Sequence, residues 1–200
     1  MKVLFATKNP AKVRNYVEKL KEYNIELITI NDIDTRVDVV ENGKDAIENA
    51  RIKAESYYNA LKIPTIGMDN NLYFDDVPES EQPGVFVRRV GGKELSDEEM
   101  IEHYTDFVKR HGGKVNARWK YGMVLIDSMG NEYEYKWHKG NLVFLDHACS
   151  KRNPGYPLDS IAMVPEYNKY LVELTNEERE ENNKKNSNDH VIEFIVKNIK

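Results

Sequence analysis

The spacing of apolar residues near the N-terminus changes from strand-like to helix-like. An unbroken apolar run from Val3 to Ala6 predicts a short buried strand, and Thr7-Lys8-Asn9-Pro10 follows as a turn. Beyond the turn, apolar residues recur at helical spacing at Val13, Val17 and Leu20. The pattern predicts a strand, a tight loop and a helix in succession.

A long amphipathic helix is predicted between two further strands. Residues 45–61 have one apolar face, which consists of Ala46, Ile47, Ala50, Ala54, Tyr57 and Leu61. The flanking strands are predicted at residues 25–30 and 65–68. Residues 72–74 either extend the later strand or begin another one.

The rest of the chain alternates between turn signals and periodic segments. The Pro/Glu/Ser-rich residues 78–83 predict a loop, and Ser96 with Glu99 forms a capping-box signature for a helix that ends at Gly112-Gly113. Strands are predicted at residues 117–127, 132–137 and 142–145, and helices near Thr175 and Val191. We therefore predict a mixed α/β protein with a single domain, residues 1–200, of two closely joined lobes.

Overall charge excludes one class of partner. Lys and Arg total 29 against 34 Asp and Glu, so the net charge of -5 offers no basic surface for duplex DNA or RNA. Cys149 is the single cysteine, and no Cys/His cluster has zinc spacing, which favours a reducing compartment. The apolar N-terminal run is too short for a signal peptide or a membrane span. We expect a cytoplasmic protein that does not engage a membrane.

The turn after the first strand is a candidate phosphate site. Backbone amides at a helix N-terminus bind anions, and Thr7 and Asn9 offer side-chain hydrogen bonds. Lys12 adds a positive charge one turn into the helix. The alternative is that Asn9-Pro10 only starts the helix and Lys12 is solvated, which the residues alone favour because short motifs often arise by chance.

Two acidic residues are candidate ligands for a divalent cation. Glu41 precedes the long helix, which carries Lys53, and the strand at residues 65–68 is expected to present Asp69 at its carboxyl end. Ligands gather at that edge of an open α/β sheet, and two carboxylates there would hold Mg²⁺ or orient a water. The alternative is that both acids are solvated or cap a helix.

Two later turns carry candidate substrate contacts. Arg89 follows the turn at Pro83-Gly84 and would either reach a phosphate or brace its loop. Tyr156 lies between Gly155 and Pro157, where its ring would either stack on a nucleobase or pack in the core. For Tyr156, the residues alone favour core packing.

Taken in order, these motifs resemble the inosine triphosphate pyrophosphatase family, which hydrolyses noncanonical purine nucleoside triphosphates. The resembling blocks are residues 7–12, 41–43 with 48–54, 68–72, 83–92 and 165–178. Because five blocks occur in the family's order over most of the chain, the chain is identified as a divergent member.

The resemblance implies a fold, a reaction and a set of roles. The fold would be an elongated, two-lobed α/β structure with a mixed sheet and a central cleft, usually as a homodimer. With Mg²⁺ as cofactor, water would attack the α-phosphorus of a nucleoside triphosphate and release pyrophosphate. Glu41 and Asp69 would bind metal or position water, and these two with Lys12 and Lys53 would be catalytic. Thr7, Asn9, Lys12, Lys53, Arg89, Tyr156, Asp159 and Lys169 would bind substrate.

The chain departs from the family pattern mainly where the base is recognised. Asn15 stands where the family has a glutamate, and Met68 stands in place of one acid of a pair. Asn70-Asn71 replaces a Ser-Gly pair, and Asp159 lies two positions from the place of the family's acid. The family's Ser-His-Arg triplet falls either on residues 183–185 or on residues 187–189. His190 is either a substitute or a surface residue.

Three functions therefore remain open. The favoured one is a magnesium-dependent nucleoside triphosphate pyrophosphatase with shifted or broadened base preference. The second is a catalytically degenerate nucleotide-binding protein of the same fold, motivated by Asn15, Met68 and Asn70-Asn71. The third and least favoured is a pyrophosphatase of the septum-formation-inhibitor type.

Overall fold

The structure, a computed structural model, describes residues 1–186 and 190–199 and has a mixed α/β fold. Its helices are α1 (Pro10–Lys21), α2 (Ala46–Leu61), α3 (Asp97–Arg110), α4 (Asn176–Asn186) and α5 (Val191–Asn198). Its strands are β1 (Lys2–Phe5), β2 (Glu26–Thr29), β3 (Thr65–Phe74), β4 (Arg89–Val90), β5 (Lys93–Glu94), β6 (Lys114–Ile126), β7 (Glu132–Leu145), β8 (Ala162–Val164) and β9 (Lys169–Tyr170). In the described chain, hydrogen bonds order one sheet as β2-β1-β3-β6-β7-β8-β9, and β4 pairs with β5.

The chain divides into two compact units that the sequence pattern did not delimit. Unit 1 contains Met1–Asn70, Tyr121–Trp137 and the described residues from His190 onward. Unit 2 contains Asn71–Lys120 and the described residues from His138 to 186. Each unit has its own cluster of buried apolar side chains.

Unit 1 is built on parallel strands. β1 pairs in parallel with β2 and with β3, and its last residue, Phe5, lies opposite Ile66. Apolar side chains of α1 and α5 cover one face of these strands, where the rings of Phe5 and Tyr16 stack at 6.1 Å. The unbroken apolar run of the first strand and the helical apolar spacing of α1 thus both contribute buried side chains to this core.

Helix α2 packs unusually close to the sheet of unit 1. Asp45 caps its first turn by accepting hydrogen bonds from the amides of Ile47 and Glu48. At Gly67 of β3, an added Cβ would lie 1.9 Å from the Ala50 carbonyl oxygen, so only glycine permits this approach. The close contact brings the side chains of α2 next to the residues that follow Gly67.

Unit 2 has an aromatic core around α3. Phe74 stacks on Phe107 at 5.0 Å and meets Phe144 edge-on at 5.2 Å. Buried Tyr104 donates its hydroxyl proton to the Val87 carbonyl oxygen at 2.9 Å. The predicted capping box is confirmed, because Ser96 accepts from the Glu99 amide and Glu99 accepts from the Ser96 amide.

Local patterns did not define every strand boundary. Of the two alternatives for residues 72–74, extension of the preceding strand is confirmed, since β3 continues to Phe74. The separate strands predicted at 132–137 and 142–145 were wrong, because they form the single strand β7. The loop predicted at 78–83 contains a short 3-10 turn at Glu79–Glu81. Hydrogen bonding to neighbouring strands outweighed the local turn signals in β3 and β7. None of the helices in the described chain is both long and apolar enough to cross a membrane.

Candidate functional site

The site in unit 1 begins at the turn between β1 and α1. Asn9 is the N-cap of α1 and its side-chain oxygen accepts from the Ala11 amide at 2.9 Å. The Thr7 hydroxyl accepts from the Asn9 amide at 3.1 Å. These bonds build the predicted helix start, while binding of a triphosphate by Thr7 and Asn9 stays a prediction.

Lys12 extends from the first turn of α1 toward the middle of β3. Its ammonium nitrogen lies 3.7 Å from Oδ1 of Asp69, and only 17% of its side chain is exposed. Burial and, to a smaller extent, the nearby positive charge of Lys53 lower the pKa of Lys12 to about 8. The carboxylates of Asp69 and Glu41 oppose this shift. Lys12 is therefore a largely desolvated cation that Asp69 and Glu41 stabilise only in part.

Lys53 of α2 links the two acidic residues of the site. Its ammonium nitrogen lies 3.3 Å from Oδ1 of Asp69 and 3.2 Å from Oε2 of Glu41. The side chains of Lys53 and Asp69 are 10% and 13% exposed, and that of Glu41 is 32% exposed. Lys12, Lys53, Glu41 and Asp69 thus form one largely buried cluster, which we call the lysine–carboxylate cluster.

Asp69 was expected at the carboxyl end of its strand, and this position was wrong. Asp69 is the fifth residue of the ten-residue strand β3. Strand β1 pairs with β3 only as far as Phe5 and Ile66, and the Ala6 amide donates to the Ile66 carbonyl oxygen at 2.8 Å. The site therefore lies where β1 ends, and Asp69 faces α2 because it shares a strand face with Gly67.

Asn49 is a residue of the site that sequence reasoning did not single out. It is fully buried in α2, and its side-chain nitrogen donates to Oδ2 of Asp69 at 3.0 Å. Its side-chain oxygen accepts from the Gly43 amide at 2.8 Å. An asparagine on the apolar face of a predicted amphipathic helix was the available signal, because buried polar groups require partners.

Two carboxylates are a small donor set for a metal ion. In the described part of the chain, no group of three or more His, Cys, Asp or Glu side chains could hold one. Mg²⁺, however, is commonly held by one or two carboxylates together with waters and substrate phosphates. Glu41 and Asp69 fit this pattern, since oxygens of both lie within 3.3 Å of the Lys53 ammonium nitrogen.

The other predicted substrate residues lie in unit 2 with partners of their own. The Arg89 guanidinium lies 5.7 Å above the Phe86 ring, and Tyr156 is half-buried before a 3-10 turn at Pro157–Ser160. In that turn, Asp159 accepts from Asn153 at 2.9 Å, and burial raises its pKa. Lys169 pairs with Glu178 at 2.5 Å. Binding of substrate by these four residues stays a prediction.

Only one of the two alternative positions of the base-reading triplet lies within the described residues. Residues 183–185 lie within α4, where Lys185 pairs with Glu166 at 2.6 Å and with Glu181 at 2.8 Å. Residues 187–189 lie outside the described residues. His190 is 64% exposed beside the start of α5, as expected of a surface residue.

Comparison with known proteins decides the family. A family model for Ham1 proteins matches residues 3–187. This chain belongs to the Ham1 family. The resemblance to inosine triphosphate pyrophosphatases is confirmed, because relatives in the family carry the name dITP/XTP pyrophosphatase.

Two such relatives cover nearly the whole chain. The protein from Lactobacillus acidophilus is 28% identical over 90% of this chain and 89% of its own length. The protein from Staphylococcus epidermidis is 29% identical over 88% of this chain and 87% of its own. Both are named dITP/XTP pyrophosphatase.

Solved structures of Ham1 proteins share the fold. That from Coxiella burnetii has a TM-score of 0.74 at 22% identity and covers 98% of this chain and 97% of its own. That from Staphylococcus aureus has a TM-score of 0.70 at 23% identity and covers 90% and 89%. At these identities the likeness supports the α/β fold, and the function rests on the site and on the family.

Proposed function

We propose that this Ham1 protein hydrolyses a nucleoside triphosphate to the monophosphate and pyrophosphate. The observation that carries the proposal is the lysine–carboxylate cluster, in which two ammonium groups lie within 3.7 Å of one Asp69 oxygen. Family membership and the dITP/XTP pyrophosphatase relatives support the same reaction. The proposed substrates are nucleoside triphosphates, noncanonical purine triphosphates among them, with a shifted or broadened base preference.

The two lysines supply the charge that phosphoryl transfer requires. Lys12 and Lys53 would exchange their contacts with Asp69 for contacts with phosphate oxygens. Fixed positive charges stabilise the negative charge that builds on a phosphoryl group and on its leaving group. Because the cluster is largely buried, its charges are screened less than surface charges would be.

The carboxylates provide the proton acceptor. A water oxygen forms the new bond to the α-phosphorus, the bond from that phosphorus to the bridging oxygen breaks, and pyrophosphate leaves. Asp69 or Glu41 orients the water and accepts its proton. Since Asp69 Oδ2 is already held by Asn49, Oδ1 is the oxygen directed toward the lysines.

We also propose that Mg²⁺ accompanies the triphosphate, with Glu41 and Asp69 as its protein ligands. Two lysines and two carboxylates give the cluster a formal charge of zero, so its residues alone do not neutralise a triphosphate. When bound, Mg²⁺ would supply the missing positive charge at the phosphate oxygens. We further propose that the protein is a homodimer, as the family resemblance implies. We propose a cytoplasmic location, since the single cysteine favours a reducing compartment.

Pyrophosphate release from a panel of triphosphates, with and without Mg²⁺, tests the proposal. We expect turnover of at least one deaminated purine triphosphate, and we expect chelation of Mg²⁺ to abolish it. Asp69→Asn should lower kcat by about 100-fold or more, the usual contribution of a positioned base. Glu55→Gln, an exposed carboxylate on α2, is the matched control and should retain wild-type turnover.

Calorimetry separates the second candidate function. If the protein is a catalytically degenerate nucleotide-binding protein, a triphosphate should bind without turnover, and Asp69→Asn should leave its affinity unchanged. If the wild-type protein neither binds nor cleaves any triphosphate of the panel, both functions are excluded.

A further inference from the structure

We propose that Asn49 is a positioning residue that fixes which oxygen of Asp69 faces the reaction and ties the Glu41 loop to it. The proposal rests on the proposed function for its kinetic consequences. The structural part of the proposal concerns three groups of unit 1. They are the side-chain amide of Asn49, the carboxylate of Asp69 and the backbone N–H of Gly43.

The orientation of the Asn49 side chain is determined by chemistry. The backbone N–H of Gly43 can only donate, so the atom 2.8 Å from it must be the side-chain oxygen of Asn49. The NH₂ group then points to Oδ2 of Asp69 at 3.0 Å, and a carboxylate can only accept. Both ends of the amide are used in the one arrangement that satisfies donor and acceptor.

This arrangement gives the two oxygens of the Asp69 carboxylate different partners. Oδ2 is held by Asn49, whereas Oδ1 lies 3.3 Å from Lys53 and 3.7 Å from Lys12. Hydrogen bonds to charged groups are stronger than those between neutral groups. Asn49 therefore opposes rotation of the carboxylate and keeps Oδ1 directed at the lysines.

The other end of Asn49 holds the loop that carries Glu41. Gly43 lies two residues after Glu41, and its backbone passes so close to α2 that an added Cβ would lie 2.8 Å from the Asn49 side-chain oxygen. Lys53, one turn further along α2, meets both acids. Asn49 thus spans the Glu41 loop and β3 from within the helix, which sets the separation of the two carboxylates.

A buried amide that serves only to stabilise the fold would have the same burial and the same bonds. The two roles differ in what happens to Asp69 and in which kinetic constant changes. A positioning residue affects the transition state, where a displacement of about 1 Å can cost on the order of 100-fold. A residue that only stabilises the fold lowers the melting temperature without changing kcat of the folded fraction.

The test uses two variants of Asn49 and one control. Asn49→Leu has a similar size and removes both hydrogen bonds, and Asn49→Asp keeps the acceptor for Gly43 but places a second carboxylate beside Asp69. Ser56→Ala is the control, because it also removes a hydrogen bond within α2, from Ser56 to the Ile52 carbonyl oxygen, away from the cluster. Steady-state pyrophosphate release, normalised to the folded fraction by circular dichroism, gives kcat and KM.

We expect both Asn49 variants to lower kcat by about 10-fold to 100-fold with KM changed less than about threefold, as misplacement of a reacting group predicts. Ser56→Ala should match the wild type in both constants. If kcat of the folded Asn49→Leu protein stays within twofold of the wild type, Asn49 is not a positioning residue.

Crystal structures of the wild type and of Asn49→Leu test the inference without turnover. We expect the Asp69 carboxylate to turn away from Lys53 while the backbones of α2 and β3 superpose. If Oδ1 keeps its place between the lysines, the inference is wrong even when the protein is an active pyrophosphatase. If the wild type cleaves no triphosphate but Asp69 moves in the variant, the proposed function fails and the positioning role stands.

Discussion

At the scale of single residues, Lys12 is a cluster lysine whose pKa lies close to neutral pH. Its pKa of about 8 lies below the ordinary lysine value because burial and Lys53 disfavour the charged form. The ammonium is protonated below that pH and loses its charge as the pH rises through it. The positive charge available to a triphosphate in the free protein therefore declines above about pH 8.

Triphosphate affinity should report this titration. We expect the dissociation constant of a Mg²⁺-bound, non-hydrolysable triphosphate to rise between pH 7 and pH 9.5 by about threefold to tenfold, a factor of ten corresponding to about 1.4 kcal/mol. Lys12→Arg should flatten the profile, because a guanidinium stays protonated throughout. Calorimetry across this pH range makes the measurement.

The control for this profile is Lys21→Arg at the exposed end of α1, where Lys21 pairs with Glu18. It should retain the wild-type pH dependence. A wild-type dissociation constant that does not change across the range would show that the bound state does not depend on the charge of Lys12.

At the scale of elements, the contact between α2 and β3 determines the site. Lys53 and Asn49 are both on α2, and both reach Asp69 because the helix backbone touches β3 at Gly67. Gly122 of β6 gives the helix a second close approach, since an added Cβ there would lie 2.6 Å from the Ile47 amide nitrogen. The helix is thus seated on two glycines in neighbouring strands.

Substitution of the first glycine should disturb stability and site together. We expect Gly67→Ala to lower the free energy of unfolding by about 2 kcal/mol or more, because over-packing typically costs about 1–3 kcal/mol and the clash is with backbone. Because α2 must shift, kcat should also fall. Urea unfolding and steady-state kinetics measure both effects.

Gly140→Ala is the matched control, since an added Cβ there meets no atom within 4 Å and Gly140 is also in a strand. It should change the free energy of unfolding by less than about 0.5 kcal/mol. Equal stability of the two variants would contradict the close seating of α2.

At the scale of the whole molecule, the charged cluster is present whereas the family's base-reading triplet is not evident in the sequence. The protein has a net charge of -5, so attraction of an anionic substrate depends on a local cluster and not on the overall field. The lysine–carboxylate cluster lies in unit 1, whereas Arg89 and Lys169, which are also predicted to contact substrate, lie in unit 2. The positions aligned with the family's base-reading triplet carry no such triplet.

We expect weak discrimination among bases. Sites that hydrogen-bond one edge of a ligand reject analogues by about 10⁴-fold to 10⁵-fold, and sites without those groups reject them by about 10²-fold or less. The ratios of kcat/KM among dITP, XTP, dGTP and dATP should therefore stay within about 100-fold. Competition assays with pairs of triphosphates measure them, and a preference above 10⁴-fold for one base would show that other residues read it.

The sequence by itself determined the local features of this protein. The turn after Phe5, the N-caps Asn9 and Ser96, and the apolar face of α2 follow from groups within about one helical turn of each other. The order of motifs that resembles the inosine triphosphate pyrophosphatase family singled out Lys12, Glu41, Lys53 and Asp69, whereas each motif taken alone favoured solvated or capping roles. No single segment of the sequence specified the distances between these side chains.

Only the tertiary structure decided how these groups are used. Strand pairing carried β7 through residues 138–141, where local signals predicted a break, because ladder hydrogen bonds come from distant segments. It also decided that β3 continues through Asn70-Asn71, which the sequence pattern had left open. The role of Asn49 likewise depends on partners at Gly43 and Asp69, which the packing of α2 on Gly67 brings within hydrogen-bond distance. Contacts between residues far apart in sequence depend on close packing, which hydrophobic patterning does not specify.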